Sequence, residues 1–298
     1  MLRKRTFRKT NVKNNQINSY QVIKKHFFLY FKILLITPLL SSYNTLYSQV
    51  NIHKDSVSHV IEKSPAFTIF KDNYFVVGVP LNKKPDEYNS DAKFQFSFKY
   101  RLNNEALPGG IYSYFTYTQK SFWDIFRQST PFAETNYNPS LLLIKPIYSK
   151  GDFSKLLMFS IEHESNGRDS VFSRSWNFIS LRYAHIFSKK MIASFKVWAP
   201  LGLSDNPDLT DYIGYSELQM YWMLIDNKLF IDASGRIGKN FDRASIMTEI
   251  SWKPFSKANQ YLTLQWWQGS AESLIDYKKS TSMIRLGIIL KPSFMRFY

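Results

Sequence analysis

The feature that most constrains the fold is a two-residue alternation of apolar and polar side chains, which recurs through most of the chain after residue 70. The segment KFQFSFKYRL is the clearest case, because Phe94, Phe96, Phe98, Tyr100 and Leu102 fall on one side and polar or charged residues fall on the other. Successive side chains of a β-strand point to opposite faces, so a period of two indicates strands. The chain is therefore predicted to be all-β, with one apolar and one polar face per strand.

About twelve segments show this pattern, and most of them are about ten residues long, which suits a tilted strand that crosses a bilayer. Turn-forming sequences separate the segments, and long and short connections roughly alternate, as in outer-membrane barrels. The predicted architecture is a twelve-stranded antiparallel transmembrane β-barrel. Its strands are expected at 74–81, 93–102, 112–122, 140–149, 155–165, 177–187, 192–201, 214–224, 229–238, 244–254, 260–269 and 282–292.

The aromatic content separates this prediction from its main alternative, a water-soluble all-β protein with buried tryptophans. Aromatic residues make up 17% of the chain, although the mean hydropathy is only −0.29. Many Tyr and Trp residues lie near segment ends, where a membrane barrel has its aromatic girdles. A closed barrel with a polar interior gives both faces of each strand a place and pairs every strand edge, whereas a soluble fold would leave many aromatic side chains exposed.

The first 48 residues differ from the rest, since they hold nine Lys and Arg residues and no acidic residue. Their basic flank is followed by an apolar run, Phe27–Leu40, that is too short to span a bilayer comfortably. This pattern predicts a signal peptide over 1–48, with a retained amphipathic anchor as the alternative. Residues 49–73 are expected to form a polar N-terminal periplasmic extension, whose role as a plug or a cap the sequence leaves open, and 74–298 the barrel.

Charge and cysteine content exclude several classes of function. The net charge of +16 does not indicate a nucleic-acid partner, because removing the nine basic residues of the first segment leaves 30 basic against 23 acidic residues. The chain has no cysteine, which excludes thiolate nucleophiles and cysteine-ligated metals.

The segment 155–165 ends its apolar face in two chemically useful side chains, His163 and Ser165. The carboxylates of Glu162 and Glu164 assign the even positions to the polar lumen, so the odd positions face lipid. Suppose that Asn177, at the start of the next strand, pairs opposite His163. Directly opposite residues share a face, so all three odd-numbered side chains would converge on the outside of the barrel.

Such a cluster has a use in ester hydrolysis. Ser165 acts as a nucleophile if His163 accepts its proton, and the Asn177 amide orients the imidazole without adding negative charge. A lipid-facing site of this kind would have phospholipid esters as its nearest substrate. Judged from residue types alone, the alternative is that His163, Ser165 and Asn177 are only polar residues at a strand end near the membrane interface.

The stretch HESNGRDSVFSRSWN resembles the signature of the outer-membrane phospholipase A family, in which H-[DE]-S-N-G is followed by an Arg and then by S-R-S-W-N. The stretches YTQKSFW, STPFAETNYNPSL, DNPDLTDYIGYSELQM and AESLIDY are also similar to that family. The resemblance implies a twelve-stranded barrel that hydrolyses phospholipid acyl esters at the outer membrane, of phospholipase A1, phospholipase A2 and lysophospholipase type, and requires Ca²⁺. It further implies that His163 is the base, Ser165 the nucleophile and Asn177 the orienting residue, and that the Gly167 N–H donates to the oxyanion.

The resemblance also implies a calcium site shared between two subunits, with the homodimer as the active form. The ligands that it assigns are the carbonyl of Arg168, the hydroxyl of Ser173 and Ser129 from the second subunit, which are oxygen donors as a hard cation requires. Gln119 falls on the family's membrane-embedded interface glutamine, and a two-fold axis would supply its twin. Glu164 stands where Asp is common in the family.

The alternative from another functional class is a non-catalytic outer-membrane barrel, either a passive pore or a structural protein. In that case the His-x-Ser pair would have no role. The sequence feature that discriminates is the complete set of family residues, none of which is lost here: His163, Ser165, Gly167, Arg168, Ser173 and Asn177. A conductance assay would discriminate directly, since a lumen packed with charged side chains is expected to conduct poorly. The expected partners are membrane phospholipids as substrate and a second copy of the chain, and no nucleic acid.

Overall fold

The computed structural model describes residues 54–255 and 259–292, so the predicted signal peptide over 1–48 lies outside the described residues. Two short helices and thirteen strands are present in this part of the chain. Neither helix is long and apolar enough to cross a membrane. The helices are α1 (Lys54–Lys63) and α2 (Thr210–Ile213), and the strands are β1 (Phe67–Ile69), β2 (Asn73–Pro80), β3 (Asp91–Arg101), β4 (Tyr112–Trp123), β5 (Phe132–Ser149), β6 (Asp152–Ser165), β7 (Ser175–Ser188), β8 (Met191–Gly202), β9 (Ser216–Ile225), β10 (Leu229–Ile237), β11 (Ala244–Trp252), β12 (Gln260–Ser270) and β13 (Ser280–Leu290).

The strands β2 to β13 form a closed twelve-stranded antiparallel barrel, which confirms the predicted fold class. Each of these strands pairs with its neighbours in sequence, and β2 pairs with β13 to close the sheet. The short strand β1 pairs with the C-terminal part of β3, beyond the residues of β3 that pair with β2. Closure satisfies the backbone polar groups of every strand, which a bilayer requires.

The predicted strand positions agree with the structure to within a few residues, with one large exception. Strand β5 begins at Phe132, whereas the alternation predicts a start at residue 140. The extension contains Pro139, which cannot donate a backbone hydrogen bond and which normally argues against a central strand. The pairing of β5 with β4 nevertheless continues past Pro139, which lies opposite Tyr117 of β4.

The two faces of the barrel differ as the alternation predicts. On β6, Phe159 and Ile161 are 40% and 50% exposed on the outside, while Ser160 and Glu162 are buried inside. The inward charges are paired, for example Lys196 with Glu162 at 2.6 Å. A soluble fold would bury the aromatic and aliphatic face instead, and the exposed apolar exterior matches a lipid-facing wall.

The connections divide the barrel into two ends. The loop end carries the segments 81–90, 124–131, 166–174, 203–215, 238–243 and 271–279. The turn end carries most of the tighter connections, such as 150–151, 189–190 and 226–228. His163 and Ser165 lie at the loop end because β6 runs from the 150–151 turn to the 166–174 loop.

Helix α1 was not predicted by the alternation, and it lies inside the barrel at the turn end. Its buried residues Val57 and Ile61 pack in one apolar cluster with inward-facing residues of β4, β5 and β6. Its first residue, Lys54, donates from its backbone N–H to the Gly151 carbonyl of the β5–β6 turn.

Candidate active site

The register of β6 and β7 brings together two of the three residues that the strand parity singles out. His163 is directly opposite Asn177, and His163 Nδ1 lies 2.9 Å from Asn177 Oδ1. Because the amide oxygen can only accept, His163 Nδ1 carries the proton in this pair and Nε2 is left as an acceptor. The pair lies on the outer face of the barrel, where both neighbouring outward residues, Ile161 and Ile179, are apolar.

Ser165 lies two residues beyond His163 on the same face and is the last residue of β6. It is opposite Ser175 on β7 and Tyr137 on β5. Among the residues that the structure describes, no hydrogen bond joins the Ser165 hydroxyl to the His163 imidazole. Hydrogen bonds of this kind are often long in a free enzyme and tighten when substrate binds. The structure therefore places the nucleophile candidate beside the base candidate without a direct bond.

A side chain that the sequence reasoning missed supports His163 from β5. The Asn138 amide donates a 2.9 Å hydrogen bond to the His163 carbonyl. The pairs on either side, Tyr137 with Ser165 and Ser140 with Glu162, place Pro139 opposite His163. A proline has no backbone N–H to donate. Asn138 thus supplies a donor at the point where the ladder contains a proline, which fixes the backbone that carries the imidazole.

The loop 166–174, between β6 and β7, is organised by the buried side chain of Asn166. The Asn166 Oδ1 atom accepts from the backbone N–H of Arg168 at 3.3 Å and of Arg174 at 3.0 Å. Its Nδ2 atom donates to the Phe172 carbonyl at 2.9 Å. One amide therefore ties both ends of the loop together, directly after the candidate nucleophile.

Gly167 is required by the shape of this loop. Its φ of +66° lies in the left-handed region, and a Cβ built there would lie 2.9 Å from Tyr137 Cε2. No acceptor for its backbone N–H is present among the described residues, so this donor is available to a ligand. Backbone N–H groups beside a nucleophile can stabilise an oxyanion.

The candidate calcium ligands Arg168 and Ser173 both lie in this loop, and a carboxylate from another loop contacts Ser173. The Asp205 Oδ2 atom accepts from Ser173 Oγ at 2.7 Å and from Ser175 Oγ at 2.9 Å. These two hydrogen bonds hold the pKa of Asp205 below its usual range. Hydroxyl, carbonyl and carboxylate oxygens are the donor set of a hard divalent cation, so these residues fit Ca²⁺.

Two further features of the structure concern the ligands available for a calcium ion. Within the described ranges there is no group of three or more His, Cys, Asp and Glu residues that could hold a metal ion, so a site here would depend on neutral oxygens as well as Asp205. Ser129, the ligand expected from a second subunit, lies exposed in the 124–131 loop at the same end of the barrel, with a φ of 64°.

On the lumen side of the same strands, inward side chains bond to and stack on one another. Trp176, next to Asn177 in sequence, donates from Nε1 to Glu164 Oε2 at 2.9 Å and stacks on Phe178 with ring centroids 3.8 Å apart. Both rings pack against Leu274 and Tyr277 of the 271–279 loop. Glu164 therefore faces the lumen, as the strand parity predicts.

Two of the stretches that resemble the known family meet at this loop. The Glu134 Oε1 atom accepts from the Ile275 N–H at 2.8 Å, and the Asn136 Oδ1 atom accepts from the Leu274 N–H at 3.2 Å. These two hydrogen bonds hold the segment AESLIDY against the part of β5 that precedes residue 140. Its position behind β6 and β7 gives both stretches a structural role that the sequence alone did not reveal.

Gln119 lies on the outer face of β4, two strands from Ser165, because it is opposite Tyr137 of β5 and Tyr137 is opposite Ser165 of β6. It stands opposite Phe96, which is 49% exposed. Within this chain its amide is bonded to Tyr117 Oη at 3.1 Å and to Ser121 Oγ at 3.4 Å. An unpaired amide among lipid-facing aromatic residues would be costly, and here both of its polar atoms have partners within the chain.

Comparison with known proteins gives consistent matches over most of the chain. Residues 62–290 match the model of a family described as Phospholipase A1. Phospholipase A1 of Proteus vulgaris is 31% identical over 252 residues, covering 78% of this chain and 85% of the relative. Phospholipase A1 of Escherichia coli strain K12 is 32% identical over 222 residues, covering 72% of each.

Solved structures give the same result. Outer membrane phospholipase A from Escherichia coli superposes with a TM-score of 0.68 at 27% identity, over 76% of this chain and 99% of that one. The outer membrane phospholipase of Salmonella typhi, described as a dimer with bound calcium, superposes with a TM-score of 0.70 at 25% identity, over 84% and 100%.

Proposed function

The chain belongs to the phospholipase A1 family and is a phospholipid-hydrolysing barrel of the bacterial outer membrane. From this premise we propose that it is a calcium-dependent serine hydrolase whose catalytic residues are Ser165, His163 and Asn177. The observation that carries the proposal is the 2.9 Å contact between His163 Nδ1 and Asn177 Oδ1 on the lipid-facing side of the barrel. It fixes the imidazole tautomer in which Nε2 is free to accept a proton.

In this mechanism, His163 Nε2 accepts the proton of Ser165 Oγ as that oxygen attacks the ester carbonyl of a phospholipid. The Gly167 N–H donates to the oxyanion of the tetrahedral intermediate. His163 then returns the proton to the leaving alcohol, and an acyl group remains on Ser165. Water, deprotonated by His163, releases the fatty acid. The acyl position attacked makes the activity A1 or A2 in type, and hydrolysis of the remaining ester of a lysophospholipid is the lysophospholipase activity.

Calcium bound by the Arg168 carbonyl and the Ser173 hydroxyl would supply positive charge close to the oxyanion. The Asp205 carboxylate, bonded to Ser173, orients that hydroxyl and adds a negative charge that favours a cation. Support for calcium comes from this donor set and from the calcium-bound Salmonella typhi relative.

We also place the active form in a homodimer with its active site facing the outer leaflet. Ser129 of one subunit would complete the calcium site of the other, and the Gln119 side chains would meet at the two-fold axis. The exposed position of Ser129 at the loop end and the dimeric state of the Salmonella typhi relative support this arrangement.

The decisive experiment measures fatty-acid release from phospholipid by the refolded protein in detergent micelles, with calcium and with EDTA. Calcium-dependent release is expected. Ser165→Ala should lower the rate by on the order of 10³-fold or more, because the covalent step is lost, while folding by heat-modifiable gel migration stays unchanged. Retained turnover by Ser165→Ala would refute the assignment of the nucleophile. No release from a folded wild-type barrel in either condition would favour the passive-barrel alternative.

A further inference from the structure

The lumen of this barrel is not polar along its whole length. At the turn end, Leu142 and Ile144 of β5 and Leu156 and Met158 of β6 all face inward and are buried. The outward residues Leu141, Leu143 and Leu157, which lie next to them in sequence, are apolar as well, so the alternation of hydrophobicity is lost there. Inward apolar side chains in a water-filled barrel would be exposed to water unless another element covered them.

Helix α1 is the element that covers them. Val57 is fully buried and Ile61 is 5% exposed, and their i, i+4 spacing places both on the face that packs against the four inward residues. Val60, at the edge of this face, is 37% exposed. The residues that match the family model begin at Glu62, so nearly all of α1 lies outside the matched region.

The C-terminal end of α1 is held by an inward-facing arginine of β3. The Arg101 guanidinium is buried and donates to the carbonyls of Ile61, of Glu62 at 3.0 Å and of Ser64 at 3.2 Å. The last carbonyls of a helix have no partner within the helix, and they attract a cation. Tyr112 adds a hydrogen bond of 2.9 Å to the Glu62 carboxylate.

From these contacts we infer that α1 is an internal plug for the turn end of the barrel and that Arg101 is its latch. The plug closes one mouth of a lumen that contains a polar cavity of about 290 Å³. The other mouth is filled by the 271–279 loop, which Glu134 and Asn136 hold. Releasing α1 would therefore admit reagents to the turn end without creating a continuous pore. This role is independent of the proposed catalytic residues.

Because the chain has no cysteine, single cysteines can report directly on the plug. Val57→Cys places a thiol at a buried position of α1, and Val60→Cys places one at a more exposed position of the same helix. The measurement is the rate of modification by a maleimide–polyethylene glycol reagent on the folded protein in detergent. Val60→Cys should react quickly and Val57→Cys slowly. Adding Arg101→Ala to Val57→Cys should raise its rate by about tenfold or more, since three charge-assisted hydrogen bonds are lost.

The matched control is Arg182→Ala, which removes another buried lumen arginine, bonded to Glu217, Gln219 and Ser194 rather than to α1. It should leave Val57→Cys protected. Heat-modifiable migration confirms folding of each variant, and if Arg101→Ala does not fold, Tyr112→Phe tests the same end of the helix with a smaller change. Equal reactivity of the Val57→Cys and Val60→Cys thiols would overturn the plug. Equal protection of the Val57→Cys thiol in the Arg101→Ala and Arg182→Ala variants would overturn the latch.

Discussion

At the level of single residues, the site depends on side chains that fix its backbone as much as on the reacting groups. Asn138 holds the His163 carbonyl from β5, and Asn166 joins the two ends of the loop that follows Ser165. Neither residue was assigned a role from the sequence, because an asparagine in a strand or loop gives no pattern that distinguishes a structural amide from a solvated one. The His163–Asn177 contact was predictable, since strand parity and register determine it.

The Asn166 network leads to a graded prediction. Asn166→Ala removes all three side-chain hydrogen bonds and should lower the rate of fatty-acid release by about a hundredfold, because small displacements of a catalytic loop are costly. Asn166→Asp keeps the acceptor for Arg168 and Arg174 but loses the donor to Phe172, so its rate should be intermediate. Initial rates at saturating calcium test this order. An alanine variant as active as the wild type would show that the loop is held by other contacts.

Asp205 leads to a prediction about pH. Its pKa is lowered in the folded protein by the hydroxyls of Ser173 and Ser175, so the carboxylate binds a proton less readily when folded than when unfolded. The stabilisation that results is present above the unfolded pKa of about 3.9 and is lost as the pH falls through the lower folded value. Asp205→Asn should therefore unfold at a lower temperature than wild type near neutral pH, and the two melting temperatures should converge under strong acid. Heat-modifiable gels over a pH series measure both, and a constant difference down to the lowest pH would contradict the assignment.

At the level of secondary-structure elements, sequence periodicity predicts the barrel well and fails in two places for identifiable reasons. It misplaces the start of β5 by eight residues, because Pro139 and the polar residues before it read as a turn. It does not predict α1, because that helix has only two buried positions, and their partners lie on distant strands. A periodic pattern of apolar residues appears only where one side of a strand or helix has the same environment along its whole length. Both failures occur where an inward surface meets another segment of the chain instead of water.

The pinned 271–279 loop gives a prediction at this level. Glu134 is 2% exposed and accepts from the Ile275 N–H, and its other oxygen has no partner within the described residues. Glu134→Ala would leave that partly buried N–H unpaired, which costs up to about 1–3 kcal/mol, so the variant should melt at a lower temperature. Glu134→Gln keeps an acceptor and should be close to wild type. Glu87→Ala, at an exposed glutamate of the 81–90 loop, is the control, and equal melting temperatures for all three variants would argue against the pin.

At the level of the whole molecule, the barrel is a closed body whose proposed catalytic residues lie on the outside. Ion pairs cross the lumen, α1 fills one end, and the 271–279 loop fills the other. The interior therefore contributes rigidity, and substrate reaches the site from the bilayer. In an enzyme of this shape, regulation would have to act on the outer surface, which includes both the proposed catalytic residues and Gln119.

Association of two barrels through the Gln119 face should consequently be separable from folding. In a single subunit the Gln119 amide is bonded to Tyr117 and Ser121, and pairing with a second glutamine would replace those contacts. A hydrogen bond between membrane segments contributes about 0.6–2 kcal/mol, so Gln119→Leu should weaken dimerisation by about three- to thirtyfold. Tyr117→Phe, which removes only the competing hydroxyl, should leave dimerisation unchanged or slightly stronger. Sedimentation equilibrium in detergent gives both dissociation constants, and heat-modifiable migration checks that each barrel is intact. If Gln119→Leu dimerises as tightly as wild type while remaining calcium-dependent, the subunits associate through another face.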